Sequence, residues 1–306
     1  MAPNPQPLRP MSDSRLSRRT FLTNTTVAVA ALAARRLPAA TAEAPIPVID
    51  AHVHFYDTSR PGGTPWPNRA LPADAKIYHP HLPPDFARRT APFHVVGEVV
   101  IEASPLVEDN QWVLDLARAN PGIVGFIGHL EPGRPEFAGH LQRFAANPIF
   151  RGVRLWEASL QRSEDAAWRN DLARLGERGL AVDVIGRATM LPHVVRLARL
   201  RPDLRLVIDH VPFMEWDGKP GAMRAALAAA ADCPNVYAKV SEVVRWDKSD
   251  RVITDPAFYR PDLDTLRDLF GPDRVVYASN WTASARKSTY AEIFRVVAND
   301  YAGRSR

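Results

Sequence analysis

The chain has 306 residues, with 39 basic and 34 acidic side chains, a formal net charge of +5 and a single cysteine, Cys233. Arg9, Arg15, Arg18, Arg19, Arg35 and Arg36 against Asp13 place the whole charge excess in the first 42 residues. The remainder is balanced and lacks the basic footprint of a nucleic-acid binder or an anionic-membrane binder. One cysteine excludes an internal disulfide, and Cys233 reads as a small buried residue on a helix.

The N-terminal segment reads as a targeting signal and is set aside before any argument about fold. Ser17-Arg18-Arg19-Thr20-Phe21-Leu22 has the pattern of a twin-arginine export signal, followed by an apolar stretch from Val27 to Ala34 that is too short to span a bilayer. Ala40-Thr41-Ala42 supplies small residues for cleavage, with an uncleaved anchor as the alternative because Arg35 and Arg36 intervene. The expectation is a signal peptide at 1–42, handled by the twin-arginine export machinery, and a mature domain at 43–306 in the periplasm or outside the cell.

The mature part alternates short β-branched runs with longer amphipathic stretches, the pattern of βα units on a parallel sheet. Runs suited to strands are Val48 to Phe55, Val95 to Ser104, Ile123 to Pro132, Phe150 to Trp156, Ala181 to Gly186, Arg205 to Val211, Asn235 to Glu242 and Val275 to Trp281. Helical spacing appears in Glu108 to Ala119, Glu136 to Ala146, Ala166 to Arg178, Met190 to Leu200, Ala222 to Asp232, Pro261 to Leu269 and Ser288 to Asn299. Eight alternations predict an α/β fold, a single-domain (β/α)₈ TIM barrel, with a long loop from Tyr56 to Pro84 after the first strand. An open doubly wound sheet is the alternative, but no glycine-rich phosphate loop follows any strand.

In such a barrel, ionisable residues near the C-terminal ends of strands cost desolvation and point to function. Period-two alternation places Asp50, His52 and His54 on one inward side, where two imidazoles can reach one ion or one substrate group. The same counting turns Glu102 and His210 inward and Asp209 outward; strand four offers Arg154, Lys239 shares its side with Tyr237 and Ser241, and His129 ends the third strand. Arg154 offers a rigid two-pronged donor for a substrate oxygen, or else an ion pair with Glu102 or Glu131; Lys239 carries the same ambiguity. Trp66, Trp156, Trp216, Trp246 and Trp281 read first as packing and second as walls for a flat ring.

His52-x-His54, Asp209-His210 and Ser279-Asn280-Trp281 resemble the motifs of the amidohydrolase-2 family, TIM-barrel hydrolases of the metal-dependent type. Glu102-Ala103, Phe150 to Arg154, Lys239-Val240-Ser241 and Phe270 to Arg274 extend the match over nearly the whole mature chain. The branch resembled contains sugar-lactone hydrolases and the 2-pyrone-4,6-dicarboxylate lactonase. The resemblance implies water attack on a cyclic ester, with an aspartate ending strand eight as base. Here that position is Asn280, which accepts no proton near neutral pH.

Glu102 or a histidine such as His210 could take over as base, or the barrel could bind a small molecule without turning it over. Decarboxylation is the other reaction the resemblance admits. His52, His54, His210 and Glu102 would form a nitrogen-rich site for one divalent metal, zinc first, with no organic cofactor; in metal-free lactonases the equivalent histidines hold substrate. Arg154, His129, Lys239 and Trp281 are the expected substrate contacts, and Glu102, His210 and Asn280 the expected reacting groups.

Overall fold

Eight strands pair in sequence order, each parallel to the next: β1 (Val48–Val53), β2 (Val95–Ile101), β3 (Ile123–Gly128), β4 (Phe150–Trp156), β5 (Ala181–Ile185), β6 (Arg205–Val211), β7 (Val236–Val240) and β8 (Val275–Tyr277). In this computed structural model, which describes residues 46–211 and 220–302, the cylinder closes just past β8, where Val53 bridges Trp281 and the His54 amide donates to the Trp281 carbonyl at 2.5 Å. The expected signal peptide and Trp216 lie outside the described residues. Each strand is followed by a helix: α1 (Pro83–Thr90), α2 (Val107–Ala119), α3 (Phe137–Ala145), α4 (Ala166–Glu177), α5 (Leu191–Leu200), α6 (Pro220–Ala231), α7 (Pro256–Phe270) and α8 (Tyr290–Ala302).

The alternation of each strand explains the layering. Val153, Val182, Leu206 and Ala238 join the apolar cluster that also holds Leu141 and Phe144 of α3, Leu172 of α4 and Leu197 of α5. Their neighbours in sequence, Arg154, Asp183 and Lys239, are buried on the other side, inside the barrel. Two helices depart from their sequence reading. α1 lies in the proline-rich stretch and begins on Pro83 and Pro84, which cost nothing at positions whose amides have no helical acceptor. α7 starts five residues before Pro261, because the Asp255 carboxylate caps the Ala257 amide at 2.9 Å and Pro256 occupies the first turn.

β1 also departs from simple alternation. Asp50 pairs with Glu98 and Val53 with Val100, so three steps on β1 face two on β2, a bulge. Before the bulge Ala51 lines the interior; after it His52 and His54 do, while Asp50 faces the helices rather than the lumen. Its carboxylate accepts from the Ser279 amide at 2.9 Å and from the Tyr290 hydroxyl of α8 at 3.1 Å, tying β1, β8 and the last helix together.

Burial raises Asp50 to about 6 against the hydrogen bonds it accepts, and burial together with the Asp50 charge raises Glu98 to about 7. Folded-state values above those of the unfolded chain mean that the native protein binds protons more tightly between about pH 4 and 7, so stability falls as pH rises through that window. Asp50→Asn keeps an acceptor for Ser279 and is expected to raise unfolding free energy at pH 8 by about 2 kcal/mol while flattening the slope below pH 6. Urea titrations at pH 5 and pH 8 measure both; a less stable variant at pH 8 contradicts the assignment.

Candidate active site

Three residues at the mouth break the regular alternation of their strands. His210, Glu242 and Asn280, at the ends of β6, β7 and β8, have φ of 61°, 52° and 53°. The left-handed region costs a non-glycine residue on the order of 1–3 kcal/mol, and such strain gathers at functional sites; His and Asn are among the side chains found there. On β6 the turn accompanies a register shift between Ile208 and Val211, and it brings both Asp209 and His210 to the site. The outward direction expected for Asp209 is thereby corrected: its side chain is fully buried, 3.0 Å from Lys239 Nζ, 3.5 Å from His52 Nδ1 and 4.0 Å from Arg154 Nη1.

Asp209 is the centre of a buried charge network. Lys239 sits between Asp209 and Asp183 of β5, and Asp183 Oδ2 closes tightly on the ammonium. Arg154 donates through Nε to Glu102 Oε1 at 2.8 Å, and through Nη2 to the Glu102 carbonyl at 3.0 Å. Burial alone would raise Asp209, but Lys239 and then His52 hold it well below the usual carboxylate range. Burial raises Asp183 to about 6 against the pull of Lys239, and its two carboxylates keep Lys239 above the ordinary lysine value despite burial. Two cations thus face three buried carboxylates, which leaves the lumen attractive to a further positive charge.

The imidazoles lie against this network. His54 Nδ1 is 3.0 Å from the Ile101 carbonyl, which can only accept, so Nδ1 carries the proton and Nε2 presents a lone pair. His52 Nδ1 lies 3.5 Å from Asp209 Oδ1 and 3.4 Å from Lys239 Nζ, so it either donates to the carboxylate or accepts from the ammonium. In the first case His52 Nε2 presents a lone pair as well; in the second it carries the proton and faces the His54 Nε2 lone pair. The two Nε2 atoms lie 3.2 Å apart, and Asn280 Oδ1 lies 3.2 Å from His54 Nε2.

Burial first, then Lys239, keeps His52 well below an ordinary histidine; burial and Arg154 take His54 to about 3; burial also lowers His210 against the pull of Glu242 and Asp209. All three rings are therefore neutral at pH 7. His210 packs 4.8 Å from His52 between ring centres, and its Nδ1 is 2.8 Å from Ser241 Oγ.

With His52 Nδ1 donating to Asp209, three acceptors converge with no proton between them, an arrangement suited to a cation. Ligand atoms about 2.1 Å from a tetrahedral zinc lie roughly 3.4 Å from one another, close to the two 3.2 Å separations found here. A second arrangement, His52 with Asp209 and His210, brings ligand atoms within 4.8 Å of one another, but on the His52 Nδ1 side the Lys239 ammonium already fills the cationic place. The residues fit a divalent ion on the Nε2 side of His52.

The other expected site residues divide. Glu102 reaches the site through Arg154 rather than through the imidazoles, and Arg154 has the ion-pair environment that was one of its two readings. Lys239 likewise is a structural cation and not a substrate contact, because two strand carboxylates neutralise it. Trp281 is also corrected: beyond the left-handed Asn280 its ring turns to the outer layer, 6.1 Å from Tyr290 with Arg89 4.6 Å above it. His129 has its backbone clamped by Asn110 of α2 at 2.9 and 3.0 Å, while its ring Nδ1 is buried without a partner.

Two groups, Asp183 and Glu242, escaped the sequence reading, while Trp66 takes the second of its two expected roles. Asp183 interrupts an otherwise apolar strand, a visible signal. Glu242 accepts from Asn280 Nδ2 at 2.6 Å, a contact no spacing shows. Trp66, from the long first loop, stands 5.2 Å from His54 between ring centres and forms an aromatic wall. Beside Glu242 opens a cavity of about 380 Å³ that includes Lys76, Trp246, Ser284, Lys287 and Ser288; the Trp246 indole N–H and both serine hydroxyls there lack partners.

A closed eight-stranded barrel with ionisable groups gathered at the strand exits defines the class of TIM-barrel enzymes whose site sits at the C-terminal mouth. The family model described as Amidohydrolase matches residues 49–299, and the chain belongs to that family. The L-fucono-1,5-lactonase of Burkholderia ambifaria is 29% identical over 247 residues, covering 77% of this chain and 80% of that protein. Among solved structures, an amidohydrolase from Burkholderia multivorans with bound zinc has a TM-score of 0.74 at 22% identity, covering 85% of this chain and 93% of its own. A Pseudomonas putida protein provisionally assigned as a 2-pyrone-4,6-dicarboxylic acid hydrolase has a TM-score of 0.62 at 24% identity, covering 85% and 91%. These structural likenesses establish the shared fold.

Removing Lys239 strands two buried carboxylates. Lys239→Met is expected to destabilise by about 3 kcal/mol or more, and Lys239→Met with Asp183→Asn to recover part of that loss. Denaturant unfolding of both variants checks this. A single variant as stable as the native protein would show that the network does not hold the barrel.

Proposed function

We propose that the protein is an exported, zinc-dependent lactonase that opens a hydroxylated sugar lactone at the barrel mouth. The observation that carries this is the convergence of His52 Nε2, His54 Nε2 and Asn280 Oδ1 beside a neutral His210. Similarity to an L-fucono-1,5-lactonase supports the ester and the sugar. A dicarboxylated pyrone suits the site less well, because the Arg154 charge is already met by Glu102 and Asp209.

His52, His54 and Asn280 would hold the ion, and the buried excess of carboxylates favours its charge. A bound divalent ion supplies polarisation of the lactone carbonyl and a more acidic water. His210 is the proton acceptor: it is neutral at pH 7, Ser241 anchors its Nδ1, and Asp209 and Glu242 stand ready to stabilise the imidazolium. Water adds to the carbonyl carbon with its proton passing to His210, the ring C–O bond breaks, and the proton returns to the leaving alkoxide to give a hydroxy acid. Trp66 covers the His54 side and limits solvent there.

Purified protein is expected to release acid from 1,5-lactones of sugar acids, to lose that activity to a chelator and to regain it with zinc. His210→Gln should lower turnover about 100-fold or more with zinc content unchanged, whereas His54→Asn should lose zinc and activity together. Release of carbon dioxide from aromatic acids with no lactone opened, or tight lactone binding without turnover, would refute the reading. Export has its own test. Replacing Arg18 and Arg19 by lysine should trap the full-length protein inside the cell, and an unchanged distribution would refute the twin-arginine route.

A further inference from the structure

Asn280 and Glu242 form one unit. The Asn280 amide has two ends with opposite hydrogen-bonding roles, and its neighbours decide which end faces the histidines. Glu242 Oε1 lies 2.6 Å from Nδ2, and a carboxylate can only accept there, so Nδ2 is the donor to Glu242 and Oδ1 is turned to His54 Nε2 at 3.2 Å. Both residues occupy left-handed backbone, at φ of 52° and 53°, at the ends of adjacent strands β7 and β8. Two strained exits side by side, each aiming its side chain at the other, mark a constructed contact rather than an incidental one.

We propose that Glu242 is the positioning residue of the metal site, fixing the Asn280 amide with its oxygen inward and lending it negative charge from behind, so that a neutral amide serves where a carboxylate would otherwise stand. An amide oxygen alone is a weak ligand for a divalent ion. A carboxylate hydrogen-bonded to the far side of a ligand orients it and strengthens its donor atom, as outer partners do for metal-bound imidazoles. The pairing also makes the two positions interdependent. An aspartate at 280 would set a second carboxylate against Glu242 at the 2.6 Å contact, whereas a glutamine at 242 could donate to that aspartate.

This inference rests on the metal reading above, and zinc affinity tests it without any substrate. Dissociation constants come from competition with a chromophoric chelator on the full folded chain, with melting temperature followed in parallel. Glu242→Gln and Glu242→Ala are expected to weaken zinc binding by about 10-fold to 100-fold with little change in melting temperature, since Glu242 is exposed.

In a chain already carrying Asn280→Asp, the same Glu242→Gln change should instead tighten binding, so the effect of one substitution reverses sign with its neighbour. Affinities within about two-fold of native in both Glu242 variants, or the same sign in both backgrounds, would overturn the proposal. So would a melting temperature that falls while zinc affinity holds, which is the mark of a purely structural contact. A native protein that binds no zinc would remove the metal reading itself, a failure distinct from a zinc site indifferent to Glu242.

Discussion

The pairing of Asp209 with Lys239 is the interaction on which the site depends. It puts an ionised carboxylate inside the barrel, 3.5 Å from His52 Nδ1, where it favours the tautomer with the proton on that nitrogen. Without Lys239 the carboxylate would be driven to protonate and the tautomer would lose its anchor. Asp183 completes the neutralisation from β5, and Arg154 approaches Asp209 from β4 while held by Glu102 of the second strand's exit. Residues from five strands therefore bear, directly or through one partner, on a single imidazole. A buried ion pair is a poor source of stability beside a well-packed apolar equivalent, so the network is better understood as a device for orientation.

The second constraint is conformational. A parallel barrel aims its strands at the mouth, but pleated alternation gives each strand only every other residue on the inside. The three left-handed residues, together with the bulge on β1, relieve that limit: Asp209 and His210 both contribute although adjacent, and His52 and His54 face inward although Asp50 does not. The strain is borne by the apolar layer between strands and helices, where residues such as Leu172, Val182 and Leu206 are fully buried. The scaffold is regular where it carries the load and irregular where the chemistry sits.

The same contrast explains what the sequence shows and what it hides. Strand and helix periods are local, and β4 and β6 run over the residues that the pattern assigns to them. The histidines of β1 and β6 were legible because imidazoles at strand ends have few structural uses. Directions near the mouth were not, since a positive φ at His210 or Asn280 leaves no mark in residue spacing. The fate of Lys239 was equally hidden, because its partner Asp183 is 56 positions away and only closure of the barrel brings the two together. Glu242 escaped notice for the same reason: its meaning lies in a neighbour 38 positions on. Trp281 misled because a motif tryptophan next to a site residue is expected to face the site, whereas its backbone is used to seal the cylinder.

In the proposed zinc site the Nε2 atoms of His52 and His54 face one ion, with Asn280 Oδ1 as third donor. Anomalous diffraction at the zinc edge, from crystals of the mature protein grown with zinc, tests it most directly. One peak is expected, about 2.1 Å from both Nε2 atoms and from Asn280 Oδ1. A peak on the Nδ1 side of His52 next to Asp209, or a proton bridging the two Nε2 atoms with no metal at full zinc loading, would contradict it.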